Sequence, residues 1–293
     1  VKNAEQIKYN QLEFIFSLIL EKCYGITSVF KRDIIHSLED EGTGLVKYFK
    51  LNLDTRFIEI STRQPLPELT VEELHSGTYD RKEVLSQLEK QLPLDIFRIE
   101  GFGILSITDV TPEHSIESIK DLILKHSSYE EEKYYSNVIH SLKTLVGSND
   151  IEFGLLPLMQ VNDKLVFDDG TCLNSKLIAV ARENGVADTA SMELANAYFK
   201  NPRPIFFREI TQEDEARQGY LKMLKDSGVT AYALSPVYFN NSLTGVLEIY
   251  SKKKNALNES LLAKLDPVMP LLSQMLKNSI DEFNDNIDHV VKE

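Results

Sequence analysis

The sequence predicts an α+β fold: an antiparallel sheet flanked by helices, preceded by a smaller α+β domain and closed by a long C-terminal helix. Three observations predict it. The stretch Ala231–Lys252 reads as two apolar strands around an Asn-Asn-Ser turn. From Leu257 onward, apolar residues recur at helical spacing almost to the end of the chain. And 293 residues with 42% hydrophobic content suffice for a substantial core, with length alone pointing to about two domains.

In chain order, residues Ala4–Cys23 place Ile7, Phe14 and Leu18 on one side of a helix that Gly25 ends. A second helix is expected over Ser28–Glu39, broken by Gly42 and Gly44. Val46–Leu53 and Arg56–Ser61 then read as two strands joined at Asn52-Leu53-Asp54-Thr55. Pro65 and Pro67 keep Gln64–Leu69 out of any central strand. After a helix at Arg81–Gln91, Asp95–Val110 alternates around Gly101 and Gly103, which predicts strands with a bend or bulge between them. Thr111-Pro112 reads as an N-cap followed by a first-turn proline, leading into a helix that reaches His126. The junction falls at Ser127-Ser128-Tyr129, so residues 1–127 form the first domain.

The second domain, 128–256, is expected to run through a helix at Tyr134–Val146, a strand at Ile151–Val161, a helix at Thr189–Phe199 and a strand at Pro204–Ile210, before the hairpin. In the hairpin, β-branched and aromatic residues crowd both arms, and Asn240, Asn241 and Ser242 suit a reversing backbone. Pro236 and Gly245 mark an edge, a bulge or a close approach of another backbone. The remaining 257–293 complete the domain as a long helix.

This ordered series, with Pro236 in one strand, Gly245-Val246-Leu247-Glu248-Ile249 in the next and a closing helix after Leu257, resembles the end of a GAF domain. The resemblance covers roughly the second half of the chain. It implies a GAF-like sheet and a sensory or regulatory role. GAF domains that bind cyclic nucleotides resemble one another in an Asn-Lys pair, a Phe and an Asp-Glu pair entering the last helix. Here the matching positions are Ser251-Lys252, Leu257 and Asn258-Glu259, so only Lys252 and Glu259 are kept. Bilin-attaching members resemble one another in a Cys-His pair, whereas Cys172 precedes Leu173. The sulfoxide reductases of this fold need several neighbouring cysteines, and this chain has two, Cys23 and Cys172, far apart.

Composition narrows the partners. A formal charge of −13 argues against a nucleic-acid footprint, since Lys252-Lys253-Lys254 is the one short basic run. No apolar run is long enough to span a membrane, and Leu12–Leu20 lacks the flanks of a secretory signal, so a cytoplasmic chain is expected. The missing initiator Met suggests a trimmed piece of something longer.

Motifs for catalysis do not emerge. Gly101-Phe102-Gly103 lacks the third glycine and the following helix of a dinucleotide loop. His36, His75, His114, His126, His140 and His289 share no ligand spacing. Asp168-Asp169-Gly170 is a turn signal before it is an acid pair. Asp281, Glu282, Asp285 and Asp288 fit the solvated face of a helix. No metal site or catalytic residue is therefore named, the cofactor stays unknown, and the chain is not read as an enzyme, although an active site without a short motif stays open.

What remains is a module that binds an unidentified small molecule, lined by Tyr198, Arg203, Phe206, Arg208, Tyr232 and Tyr238, with Arg208 meeting an anionic ligand. Each of these also fits a core or surface role, and a ligand-free assembly scaffold is the alternative. Leu261, Leu265, Val268, Leu272 and Met275, then Leu276, Ile280, Phe283, Ile287 and Val290, form a seam that implies a homodimer through helices. Pro267 and Pro270 require a kink or a restart near Pro270.

Overall fold

The structure is a computed structural model that describes residues 2–26, 34–69, 81–125, 131–162, 164–166, 174–185 and 198–292. Two compact units emerge. The first comprises Val1–His36 and Phe49–Asp109, the second Ser37–Tyr48 and Val110–Glu293.

In the first unit, helix α1 (Lys2–Tyr24) packs on α2 (Arg81–Gln91). Phe16, Ile19 and Leu20 interleave with Val84, Leu85, Leu88 and Leu92, all buried. Burying each such side chain stabilises by about 1.5–3 kcal/mol, which fixes the helix pair against chain entropy. The segment Ser28–Glu39 does not supply the expected helix: its described part is strand β1 (Ile34–Glu39), and residues 27–33 lie outside the described residues. The strands β2 (Val46–Asp54) and β3 (Ile58–Thr62) form as expected, but they do not pair with each other. Within this unit β2 pairs with β5 (Ile104–Asp109) from Phe49 opposite Asp109 to Asp54 opposite Ile104. β3 pairs with β4 (Phe97–Gly101). Gly101 provides the bend between β4 and β5: its φ is +107°, and a Cβ there would lie 2.0 Å from the Phe57 carbonyl oxygen. Only glycine accommodates that approach.

The second unit begins its helices with α3 (Thr111–Leu124) and α4 (Glu131–Val146), which pack together. The helix α3 is capped one residue earlier than expected, at Val110, with Pro112 in its first turn. The Thr111 hydroxyl instead accepts a 2.9 Å bond from the Tyr48 amide. In this unit α3 also packs against the last helix, although the sequence places it with residues 1–127.

Four strands form the central sheet in the order β6-β11-β10-β9, all antiparallel: β6 (Ile151–Pro157), β9 (Ile205–Phe207), β10 (Ala231–Phe239) and β11 (Ser242–Ser251). A small pair, β7 (Met159–Val161) and β8 (Lys164–Val166), follows β6. The hairpin turn holds Asn240 and Asn241 at φ of 48° and 64°, the left-handed pair that a two-residue turn demands. Pro236 sits past Leu234, the last residue of β10 that β9 pairs. Gly245 marks a close approach: a Cβ there would lie 2.2 Å from the Leu156 carbonyl oxygen and 3.0 Å from Leu276 Cδ1.

Strand alternation gives the sheet two apolar faces. Phe153, Leu155, Ala233, Leu247 and Ile249 face α4 and the C-terminal helices. Leu156, Tyr232, Leu234, Val246 and Tyr250 face the other way. The C-terminal segment starts as α8 (Glu259–Ala263), passes through a 3-10 turn at Asp266–Val268 and restarts as α9 (Met269–Lys292). Pro270 thus stands in the first turn of α9, where a missing amide hydrogen costs nothing. This is the expected α+β class, with an antiparallel sheet and a closing helix.

Candidate functional site

The second apolar face of the sheet is covered by the short helices α5 (Lys176–Glu183) and α7 (Gly219–Asp226), the latter preceded by α6 (Gln212–Arg217). Between them and the sheet lies a cavity of about 500 Å³, within the size range of small-molecule sites. Its floor is Leu156, Leu234 and Val246 from three neighbouring strands. Leu177 and Ile178 of α5 form one wall, and Arg217, Gln218, Gly219 and Tyr220, where α6 meets α7, another. The segment before β9 supplies Tyr198, Phe199, Asn201 and Arg203.

The position of α5 is set by its N-terminus. Ser175 is the N-cap, and its hydroxyl accepts from the Ile178 amide at 3.3 Å. The next two orphan amides, of Lys176 and Leu177, donate to Glu248 Oε2 and Oε1, each at 2.9 Å. Glu248 is fully buried in the middle of β11. A buried carboxylate is costly unless its lone pairs are met, and here the helix end meets them. Burial nevertheless pushes its pKa above the ordinary glutamate value, while the hydroxyls of Ser175 and Tyr232 and the two amides hold the rise in check. The Tyr232 hydroxyl stands close enough to act on this charge but meets no hydrogen-bond geometry with a described group. Its own pKa is driven well up by burial and by Glu248.

Tyr198 and Tyr220 both have pKa values pushed up to about 12 by burial. The Tyr198 hydroxyl donates to the Arg203 carbonyl at 2.9 Å. The Tyr220 hydroxyl is buried with no partner among the described residues. Arg217 is neutralised by Glu213 at 2.5 Å, one helical turn back. Arg203 also borders the cavity, and its positive charge pulls the Tyr220 pKa down against the effect of burial.

Of the six residues proposed from sequence, the structure brings Tyr198 and Arg203 together on the cavity. Tyr232 lies on the same face of the sheet, fully buried beneath it. Phe206 alternates to the opposite face, against the helices there. Arg208 lies over the Phe206 ring at 5.9 Å and reaches Glu259 at 3.6 Å on an exposed surface. Tyr238 is 47% exposed, beyond the register shift of β10. Asp168-Asp169-Gly170, Cys172 and most of Thr189–Phe199 lie outside the described residues.

Sequence reasoning missed Glu248, Tyr220 and the α5 wall. A signal existed for α7, where Tyr220, Leu221 and Leu224 share one helical face. The signal for Glu248 was an acid inside an otherwise apolar strand.

No protein-family model matches the chain, and no curated protein matches it. Among solved structures, it is similar to the GAF domain of an Acinetobacter phosphoenolpyruvate-protein phosphotransferase, at 9% identity over 59% of this chain and 96% of that chain, with a TM-score of 0.38. It is also similar to fRMsr of Staphylococcus aureus in complex with substrate, at 12% identity over 58% of this chain and 99% of that one, with a TM-score of 0.32. A third similarity is to the chromophore-binding domain of Stigmatella aurantiaca bacteriophytochrome, at 11% identity over 61% of this chain and 67% of that one, with a TM-score of 0.36.

Proposed function

We propose that this chain is a non-catalytic regulatory module that binds a small molecule in the cavity between the central sheet and α5–α7. The observation that carries the reading is the cavity itself: a largely apolar lining with a few polar groups, the usual make-up of a small-molecule site. The GAF-like order of elements supports the regulatory part.

In this reading the module acts as a homodimer through α9. Leu272, Met275 and Leu276 are spent on the chain's own core. Further along, Ile280, Phe283 and Ile287 are only partly covered and continue the apolar spacing, which supports a partner helix there. Ligand occupancy would reach the output only by favouring one helix arrangement over another.

Native mass spectrometry of the purified chain, before and after mild denaturation, tests this. A dimer releasing a defined small molecule is the expected result. A monomer mass at every concentration would contradict the helix pairing. A ligand-free protein to which no compound of a small-molecule library binds would remove the sensor role.

A further inference from the structure

Resting on the reading of the α5–α7 cavity as a ligand site, we propose that its ligand is a small organic monoanion, a carboxylate carried on a flat apolar body, with the carboxylate held by Arg203 and Tyr220.

The charge count comes from the lining. Two guanidinium groups border the cavity, and Glu213 already neutralises that of Arg217 at 2.5 Å. Arg203, an exposed residue on the lining, has no such described partner, so one positive charge stands at the border of the space. The hydroxyl of Tyr220 is the second donor. It belongs to a residue that lines the cavity and is only 7% exposed, and it is left without a hydrogen-bond partner among the described residues. Stranding a buried hydroxyl costs about 1–3 kcal/mol, and a ligand acceptor beside it recovers that cost. Both residues line the same cavity, and the Arg203 charge lowers the Tyr220 pKa against the effect of burial. An Arg fork and a phenol O–H on the lining of one cavity suit the two oxygens of a carboxylate.

The other hydroxyl on the lining cannot join them as a donor, because Tyr198 gives its proton to the Arg203 carbonyl. That bond fixes the backbone of Arg203 and leaves the Tyr198 ring as a wall. Most of the remaining surface is aliphatic and aromatic, Leu177, Leu234 and Val246 among it, and its other polar side chains, Asn201 and Gln218, are neutral and offer no partner for a second charge. A ligand with several charges would leave all but one unpaired in an apolar space, which is strongly unfavourable.

The test uses a matched pair of probes, naphthoate and naphthamide, which share a flat apolar body and differ in charge. Binding of each to the full chain is measured by calorimetry, alongside Arg203→Gln, Arg203→Lys and Ile178→Trp variants. Naphthoate is expected to bind at least about tenfold more tightly than naphthamide, the difference a charge-assisted pair makes. Arg203→Gln should abolish that preference and leave naphthamide binding unchanged, while Arg203→Lys keeps part of it. Ile178→Trp should block both probes. Equal binding of the two probes, or a preference that survives Arg203→Gln, overturns the anion assignment and leaves the cavity a ligand site. Failure of both probes to bind at millimolar concentration, or binding that Ile178→Trp does not weaken, overturns the inference and the site with it.

Discussion

Glu248 on β11 stands directly across from Gly154 on β6, and a Cβ at position 154 would lie 2.8 Å from Glu248 Oε2. The missing side chain is the space into which the carboxylate turns to reach the first amides of α5. Two residues on neighbouring strands thus jointly fix a helix that walls the cavity.

Gly154→Ala is expected to destabilise the protein. Besides Glu248, the new methyl would meet the Asn174 carbonyl oxygen and Ser175 Cα, each at 2.9 Å, and backbone yields less readily than a side-chain end. Overpacking of this kind costs about 1–3 kcal/mol, read as a lower urea midpoint at unchanged slope. A midpoint equal to wild type would show that α5 is not seated on this glycine.

Glu248→Gln should change how stability depends on pH. The folded pKa of Glu248 is raised by burial, so between about 4.3 and that folded value the native protein holds a proton the unfolded chain has lost. Stability from this group is complete below the unfolded value and declines as pH rises through the folded one. Subtracting the variant's urea-unfolding profile from the wild-type profile cancels the other carboxylates and should leave a curve that falls with pH. A flat or rising difference would contradict the assignment.

The fold was largely legible in the sequence wherever local chemistry and pattern agreed. The helix at Arg81–Gln91 and the Asn240-Asn241 turn form where they were expected. The pattern misled at Ile34–Glu39, where Ile34 and Leu38 fit a helical step as well as strand alternation, and strand pairing decided between them. The cap at Thr111 shifted because its hydroxyl is taken by Tyr48, a partner distant in sequence. Half of the candidate site was hidden for a similar reason. Phe206 and Arg208 read like pocket residues beside Arg203, but strand alternation and the Glu259 contact carry them to the other side.

Tyr220→Phe is expected to leave the ligand-free protein as stable as wild type or more stable by roughly 1 kcal/mol, because it removes a buried hydroxyl that has no described partner. The same change should weaken naphthoate binding several-fold. Loss of stability in thermal unfolding would mean that the hydroxyl is satisfied within the folded chain.

Phe283→Asp addresses the proposed pairing of α9. The position is only partly covered, so folding stability should change by less than about 1 kcal/mol. Self-association measured by sedimentation equilibrium should weaken by at least about tenfold. An unchanged dimer would place the interface elsewhere.

β11 is a partition with a working surface on each side. Val246 forms part of the cavity floor, and Leu247 is buried against the helical layer one residue later. At Gly245 the layer above lies so near that Leu276 of α9 would be 3.0 Å from an added methyl. Matter packed this densely does not absorb a displacement at one surface without passing it to the other. The cavity and α9 are therefore separated by the thickness of a single strand.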